Sequence, residues 1–343
     1  MSEAVEQHRR SVIELSKTGE ALAPNAPTAT VNNRDWFVAM GAGRWVPTSA
    51  RRELHQSLVT QQFDAAPDAR IGRKAIVLAG PPGAGKSTRL NEILGPKRDQ
   101  FLVIDADEFK QGLLHEALRD GSYESWIKSE QIRKREVAGE QFFPLELASL
   151  VHEESSLLAG KLRETGLGQG TNVVIDTVLS SEASAQALGR QLTAAGYEVE
   201  VIDVEVPYEI SESRIAKRWQ QSYEGALEHG EGLGGRWVPS EYARSVFDGP
   251  DGRSKPEVAA EGLATNCANV MRYRVHRTTQ EATTAAPAVG AWEKDLSRTK
   301  VGVRCSIPRT RKCPGSQQWH DHRERTVSRH RPPIWDVVRC TRR

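Results

Sequence analysis

Residues 74–88, KAIVLAGPPGAGKST, constrain the fold more than any other part of this 343-residue chain. An apolar run leads into Gly80-x4-Gly85-Lys86-Ser87, and a helix-forming segment follows. This is the phosphate-binding loop pattern in the strand–loop–helix context that gives it meaning. In Gly80, Pro81, Pro82, Gly83, Ala84, Gly85, Lys86, Ser87 and Thr88, successive backbone N–H groups backed by a helix N-terminus can hold triphosphate charge away from water. Lys86 is placed to reach the β- and γ-phosphates and Ser87 to ligate Mg²⁺. The chain is therefore expected to bind ATP or GTP, with Mg²⁺ as its companion ion.

The rest of the sequence alternates in the manner of an α/β protein. Strands are expected at Lys74–Ala79, Phe101–Ile104, Asn172–Ile175, Glu198–Val206 and Asn269–Arg277. Helices are expected at 5–17, 50–63, 86–94, within 108–165, at 181–195 and at 208–228. Such alternation predicts a P-loop NTPase-type parallel sheet with helices on both faces, its ligands beyond the carboxyl ends of the strands. The stretch from the second to the third strand exceeds one crossover, so a helical insertion is expected there. Three regions are expected: 1–34 as an N-terminal helix and Pro/Ala/Thr-rich linker, partly disordered; 35–302 as the P-loop domain; and 303–343 as a tail.

Charge separates the tail from the rest. Residues 303–343 carry 11 Lys and Arg against 3 acids, whereas residues 1–302 carry 36 against 42. The mildly acidic body gives no field for nucleic acid. Three of the four cysteines lie in the tail, which is not a disulfide framework and suits a reducing, cytoplasmic setting. No stretch has the length and apolarity of a membrane span, so no membrane partner is expected. The tail's cysteines are too widely spaced for a zinc ribbon, and a disordered basic tail is expected.

Four further segments carry chemistry. FLVIDADEFK (101–110) is a strand ending in Asp105-x-Asp107-x-x-Lys110, across the nucleotide crevice. A carboxylate there can accept the proton of an attacking hydroxyl while its neighbour caps the next helix. NVVIDT places Asp176 and Thr177 at another strand end, suited to substrate or Mg²⁺ contact. Arg214 and Arg218 share a helix face, and Arg236 follows in GGRWVP; such cations can meet charge on a transferring phosphoryl group. GRWVP occurs twice, at 43–47 and 235–239; the first copy reads as a turn before a helix start. The glycines at 230–235 read as a flexible loop delivering Arg236. His115-Glu116 and His152-Glu153 read as surface pairs.

The ordered set PPGAGKST, VIDADEFK, NVVIDT, SRIAKR and GRWVP resembles the zeta toxin family of P-loop kinases over roughly residues 35–300. The resemblance implies transfer of the γ-phosphate of ATP to the 3′-hydroxyl of UDP-N-acetylglucosamine, as the toxin of a toxin–antitoxin system with an antitoxin partner. It implies catalytic roles for Asp107 as base and for Lys86, Arg214, Arg218 and Arg236. Asp105, Lys110, Glu154, Asp176 and Thr177 would contact the nucleotide-sugar substrate. Two positions depart from the family. Ser156 stands where a sugar-contacting Glu is expected, with Glu153 and Glu154 just upstream. Thr177 directly follows Asp176, with Val178 where some members have Thr. Another acceptor (NAD, a different nucleotide sugar, an antibiotic) or a nucleotide-binding regulator without acceptor chemistry is the alternative.

Overall fold

The computed structural model describes residues 3–41, 44–230, 232–278 and 292–298, and the backbone of 336–337. The basic tail, including its cysteines and histidines, otherwise lies outside the described residues. The chain starts with α1 (Glu3–Leu15), a hairpin of β1 (Phe37–Ala39) and β2 (Trp45–Pro47), and α2 (Ser49–Asp64). Then come β3 (Lys74–Ala79), α3 (Lys86–Leu94), β4 (Leu102–Asp105) and α4 (Ala106–Asp120). The expected insertion continues through a π turn at Tyr123–Ile127, α5 (Glu130–Val137), a 3₁₀ stretch at Pro144–Val151 and α6 (His152–Gln169). After it lie β5 (Val173–Asp176), α7 (Glu182–Ala194), β6 (Glu198–Glu205), α8 (Tyr208–His229), α9 (Ser240–Ser245) and α10 (Lys255–Asn266). The sheet closes with β7 (Val270–Arg277), β8 (Lys294–Ser297) and β9 (Asp336–Val337).

The seven strands run in the order β4-β5-β3-β6-β7-β8-β9. The first five in this order are parallel, and β8 and β9 run antiparallel at the edge. This is the P-loop NTPase-type α/β architecture that the alternation predicts. The central strands are apolar runs because both faces are covered: Val77, Leu78, Ala79, Val173, Val174, Val201 and Ile202 are at most 1% exposed. From β3 the chain first goes to β4 on one side, and β6 later pairs on the other. Such a reversal opens a crevice at the carboxyl end of β3, where the phosphate loop sits. Gly80 begins the loop at φ +136°, and a Cβ there would collide with the Val204 carbonyl, so glycine is required. Among the described residues no helix is long and apolar enough to cross a membrane.

Two expectations need correction. The first GRWVP copy does supply a helix start at Ser49, but its Trp45–Pro47 is a strand paired with β1 rather than a turn. The larger difference concerns residues 3–33, which pack firmly on the body instead of forming a partly disordered lead. Val5, Val12, Leu15, Leu22, Ala23 and Ala26 lie in the main core. The linker composition is itself a structure. The amides of Ala23, Ala26, Ala29 and Asn32 donate to the carbonyls three residues back at 2.9–3.0 Å, so A-P-N-A-P-T-A folds as consecutive turns. Pro24 and Pro27 take the second turn position, where a fixed φ favours the bend. The alanines at every third place are small enough to press into the core.

α1 is pinned by one buried histidine. His8 Nδ1 lies 2.8 Å from Glu140 and Nε2 2.9 Å from Glu146, and its ring stacks on Tyr223. Burial pushes the His8 pKa down, but Glu146 and then Glu140 outweigh it and hold the imidazole more basic than usual. Glu146 also accepts from Trp219 Nε1 at 2.9 Å, so α1, the insertion and α8 meet at one carboxylate.

Candidate active site

A cavity of about 980 Å³ opens at the carboxyl ends of β3, β4 and β5. Pro82 to Thr88, Asp105, Asp107, Lys110, Asp176, Thr177, Arg214, Arg218 and Arg236 all line it, which brings most of the sequence-derived candidates together. Gly80 and Pro81 stand behind them, with the Gly80 carbonyl accepting from Lys86 Nζ at 3.1 Å. Ser211 donates to the Pro82 carbonyl at 2.6 Å, and Arg214 donates to the Gly83 and Ala84 carbonyls at 3.2 Å. α8 thus braces the loop, and Arg214 is partly engaged in holding its shape.

The two acids after β4 divide their work. Asp105 is the N-cap of α4, its Oδ1 accepting from the Asp107 amide at 2.9 Å. Burial, reinforced by the charge of Asp107, raises the Asp105 pKa. Asp107, in the first turn of α4, lines the cavity and touches Arg236 Nη1, with Lys110 Nζ at 3.1 Å. Burial pushes its carboxyl up, but Arg236, Lys110 and Arg218 pull harder, and the net pKa lies below the usual carboxylate value. Asp107 is therefore ionised at neutral pH, as a proton acceptor must be.

Asp176 sits 3.8 Å from Lys86 Nζ at the end of β5. Burial lifts its pKa to about 6, against the pull of Lys86 and with help from Asp105 and Asp107. The Ser87 hydroxyl makes no hydrogen bond among the described residues, and with Asp105 and Asp176 it offers an oxygen-only donor set. That chemistry fits Mg²⁺, which binds through one or two protein oxygens with water and phosphate completing the shell. No group of three or more acidic, His or Cys side chains able to hold a metal alone occurs among the described residues.

Glu154 does not belong to this site. It is fully buried on the far side of α6, gripped by Arg51 Nε and Nη2 at 2.6 and 2.8 Å and by His55 Nε2 at 2.7 Å. A carboxylate so completely paired inside the protein has no face left for substrate. The cavity positions on α6 are His152 and Ser156. His152 is exposed, as expected of a surface residue, and the surface it lies on is the cavity wall. The 230–235 glycines also need correction. Gly235 lies so close to Trp219 that a Cβ would overlap the Trp219 carbonyl oxygen, so this glycine fixes the Arg236 segment rather than loosening it. Gly235→Ala is expected to lower turnover at least about tenfold through a displaced Arg236, with ATP affinity little changed; parallel turnover and nucleotide-titration measurements check this.

Sheet order, phosphate loop and a cavity carrying paired acids and arginines define a P-loop NTPase-type protein. Within it, residues 130–265 match the family model described as Zeta toxin, bearing out the resemblance to zeta toxin P-loop kinases. The match spans the insertion from α5 through α10; the phosphate loop precedes it. No curated protein matches the chain. Among solved structures, the chain is similar to the AvrRxo1-ORF1:-ORF2 complex with ATP, at 21% identity over 70% of this chain and 67% of that one (TM-score 0.45). It is also similar to a structure from work on the PezAT chromosomal toxin–antitoxin system of Streptococcus pneumoniae, at 14% identity over 73% and 83% (TM-score 0.47).

Proposed function

We propose that the protein is an ATP-dependent phosphotransferase of zeta toxin type that phosphorylates a hydroxyl group, the 3′-hydroxyl of UDP-N-acetylglucosamine being the leading acceptor. The observation that carries this reading is an ionised carboxylate, Asp107, in contact with Arg236 inside a P-loop cavity. A nucleotide switch needs the loop but has no use for a general base aimed at the γ-phosphate position. The matched family segment supports the same chemistry.

In this reading the loop amides and Lys86 hold the triphosphate, and Mg²⁺ beside Ser87 supplies charge neutralisation when bound. Asp107 accepts the proton of the acceptor hydroxyl. Arg236, Arg218 and Lys110 then face the negative charge that spreads over the transferring group. Asp176 orders Lys86, and Thr177 lies beside it on the acceptor side. The proposed kinase body begins at α1 rather than at residue 35, because α1 and its turns complete the core. An antitoxin partner and a cytoplasmic site of action follow from the family reading.

The test is transfer from γ-labelled ATP to UDP-N-acetylglucosamine, run beside NAD, other nucleotide sugars and aminoglycoside antibiotics. Labelled UDP-N-acetylglucosamine is expected; exclusive labelling of another acceptor overturns the acceptor, and no labelling overturns the kinase reading. Lys86→Ala removes a charge-assisted contact worth about 1.5–3 kcal/mol, so ATP binding should weaken roughly ten- to a hundredfold in calorimetric titration.

A further inference from the structure

The turns after α1 reach the active site. Ser16, Thr18, Pro24 and Asn25 line the same cavity as the phosphate loop. The strap they form is anchored at two places. Thr18 donates through its amide and hydroxyl to Glu241 Oε2 at 3.2 and 2.8 Å, and Ser149 donates to the Leu22 carbonyl at 2.5 Å. It therefore spans from α9, which directly follows the Arg236 segment, to the stretch preceding α6. Residues 16–25 of the strap lie outside the segment that matches the family model, whereas the anchors Ser149 and Glu241 lie within it.

The chemistry of this wall differs from that of the phosphate side. Lys86, Arg214, Arg218 and Arg236 supply cations for phosphate, whereas the strap and its anchors present hydroxyls, an amide and the Glu241 carboxylate. Such groups repel or ignore a second polyphosphate and suit a neutral group rich in hydroxyls and amides. Asn25 stands out within the wall. It is exposed to the cavity, and its side-chain amide makes no hydrogen bond among the described residues. The turn does not explain an asparagine there, because Thr28 occupies the equivalent place in the next A-P-x turn.

We infer that Asn25 is a specificity-determining residue: its amide binds the hydroxyl or amide groups of a neutral, sugar-like part of the acceptor, with the strap as that group's wall. The inference rests on the phosphotransferase reading and adds the N-terminal segment to the acceptor site. Asn25→Thr preserves a residue type that the turn accepts, and Asn25→Ala removes the amide outright. In the full-length protein, both are expected to raise the KM for UDP-N-acetylglucosamine about fivefold to tenfold, as loss of one or two neutral hydrogen bonds implies, while the ATP KM stays within about twofold. Thr18→Val, which removes the hydroxyl half of the Glu241 anchor and leaves the amide half, should raise the same acceptor KM by a smaller factor.

If the wild type does not use UDP-N-acetylglucosamine, the same kinetics are run with a deproteinised bacterial small-molecule extract as the acceptor source. An unchanged acceptor dependence in both Asn25 variants, or an equal loss of ATP affinity, overturns the role of the strap. A wild-type protein that phosphorylates neither probe overturns the kinase reading instead, and this inference falls with it.

Discussion

Asp107→Asn should reduce phosphoryl transfer by about 10²–10⁴-fold, the range that a positioned general base contributes. Its nucleotide affinity should stay equal or become slightly tighter. Asp107 contacts Arg236 and Lys110 rather than the phosphate loop, so removing its charge frees both cations for the γ-phosphate. Single-turnover transfer and ATP titration on the same preparation separate the two effects. Near-wild-type turnover in the variant would show that the base is another group. The pH profile gives a second check. Asp107 is held below the ordinary carboxylate pKa, so it keeps its charge as the solution is acidified, and a loss of kcat/KM near pH 6 must have another source. Asp176, lifted by burial to about 6, is the cavity carboxyl placed to give such a limb: it gains a proton as pH falls through 6, and Asp176→Asn should remove that limb from whatever activity survives.

Glu154→Gln is the corresponding experiment on stability. The wild-type carboxylate is fully buried, neutralises Arg51 and hydrogen-bonds to His55 Nε2, joining α6 to α2. Removing one partner of a buried ion pair leaves the other uncompensated, at a cost of about 3–5 kcal/mol. Urea unfolding should show this loss, while Glu164→Gln on the exposed side of the same helix should stay within about 0.5 kcal/mol. The folded fraction should keep its acceptor and ATP KM values, because Glu154 is not in the cavity. Burial raises the Glu154 pKa, but hydrogen bonds from His55 and Arg51 bring it from 4.5 down to about 2. A depressed pKa stabilises the fold above pH 4.5, and the contribution fades as pH falls toward 2. The gap between variant and wild type should therefore narrow in acid.

The three strands that lead into the site, β3, β4 and β5, were legible in the sequence because each is a short apolar run ending at an acid or a glycine, whereas the paired β1 and β2 and the edge strands β8 and β9 were not. Lys74–Ala79 agrees to the residue, and the strands carrying Asp105 and Asp176 agree within one. Residues that their own local segment carries to the cavity were legible for the same reason: Lys86, Asp107 and Asp176 all line it. What depends on distant partners was not. Glu154 has the composition of a substrate contact, and only the fold reveals that Arg51 and His55, about a hundred residues earlier, claim it. The glycines before Arg236 look like slack until Trp219 is seen against them. The A-P-N-A-P-T repeat did carry a signal, proline at regular turn positions, but its composition also fits an open linker. Only burial of the alanines separates the two.

The pinning of α1 has a consequence for synthesis. His8 meets Glu140 and Glu146 more than 130 positions later in the chain, and Thr18 meets Glu241 across 223 positions. Contacts this far apart cannot form while the intervening chain is still in the ribosome. The N-terminal strap waits for α9 to emerge, and Arg236 emerges only shortly before it. A nascent chain carrying the complete phosphate loop thus has neither the far wall of its cavity nor its last arginine. The phosphate loop waits as well, because β3 is held between β5 and β6 and α8 braces the loop, so the nucleotide site and the far wall of the cavity come together in the same late stretch of synthesis.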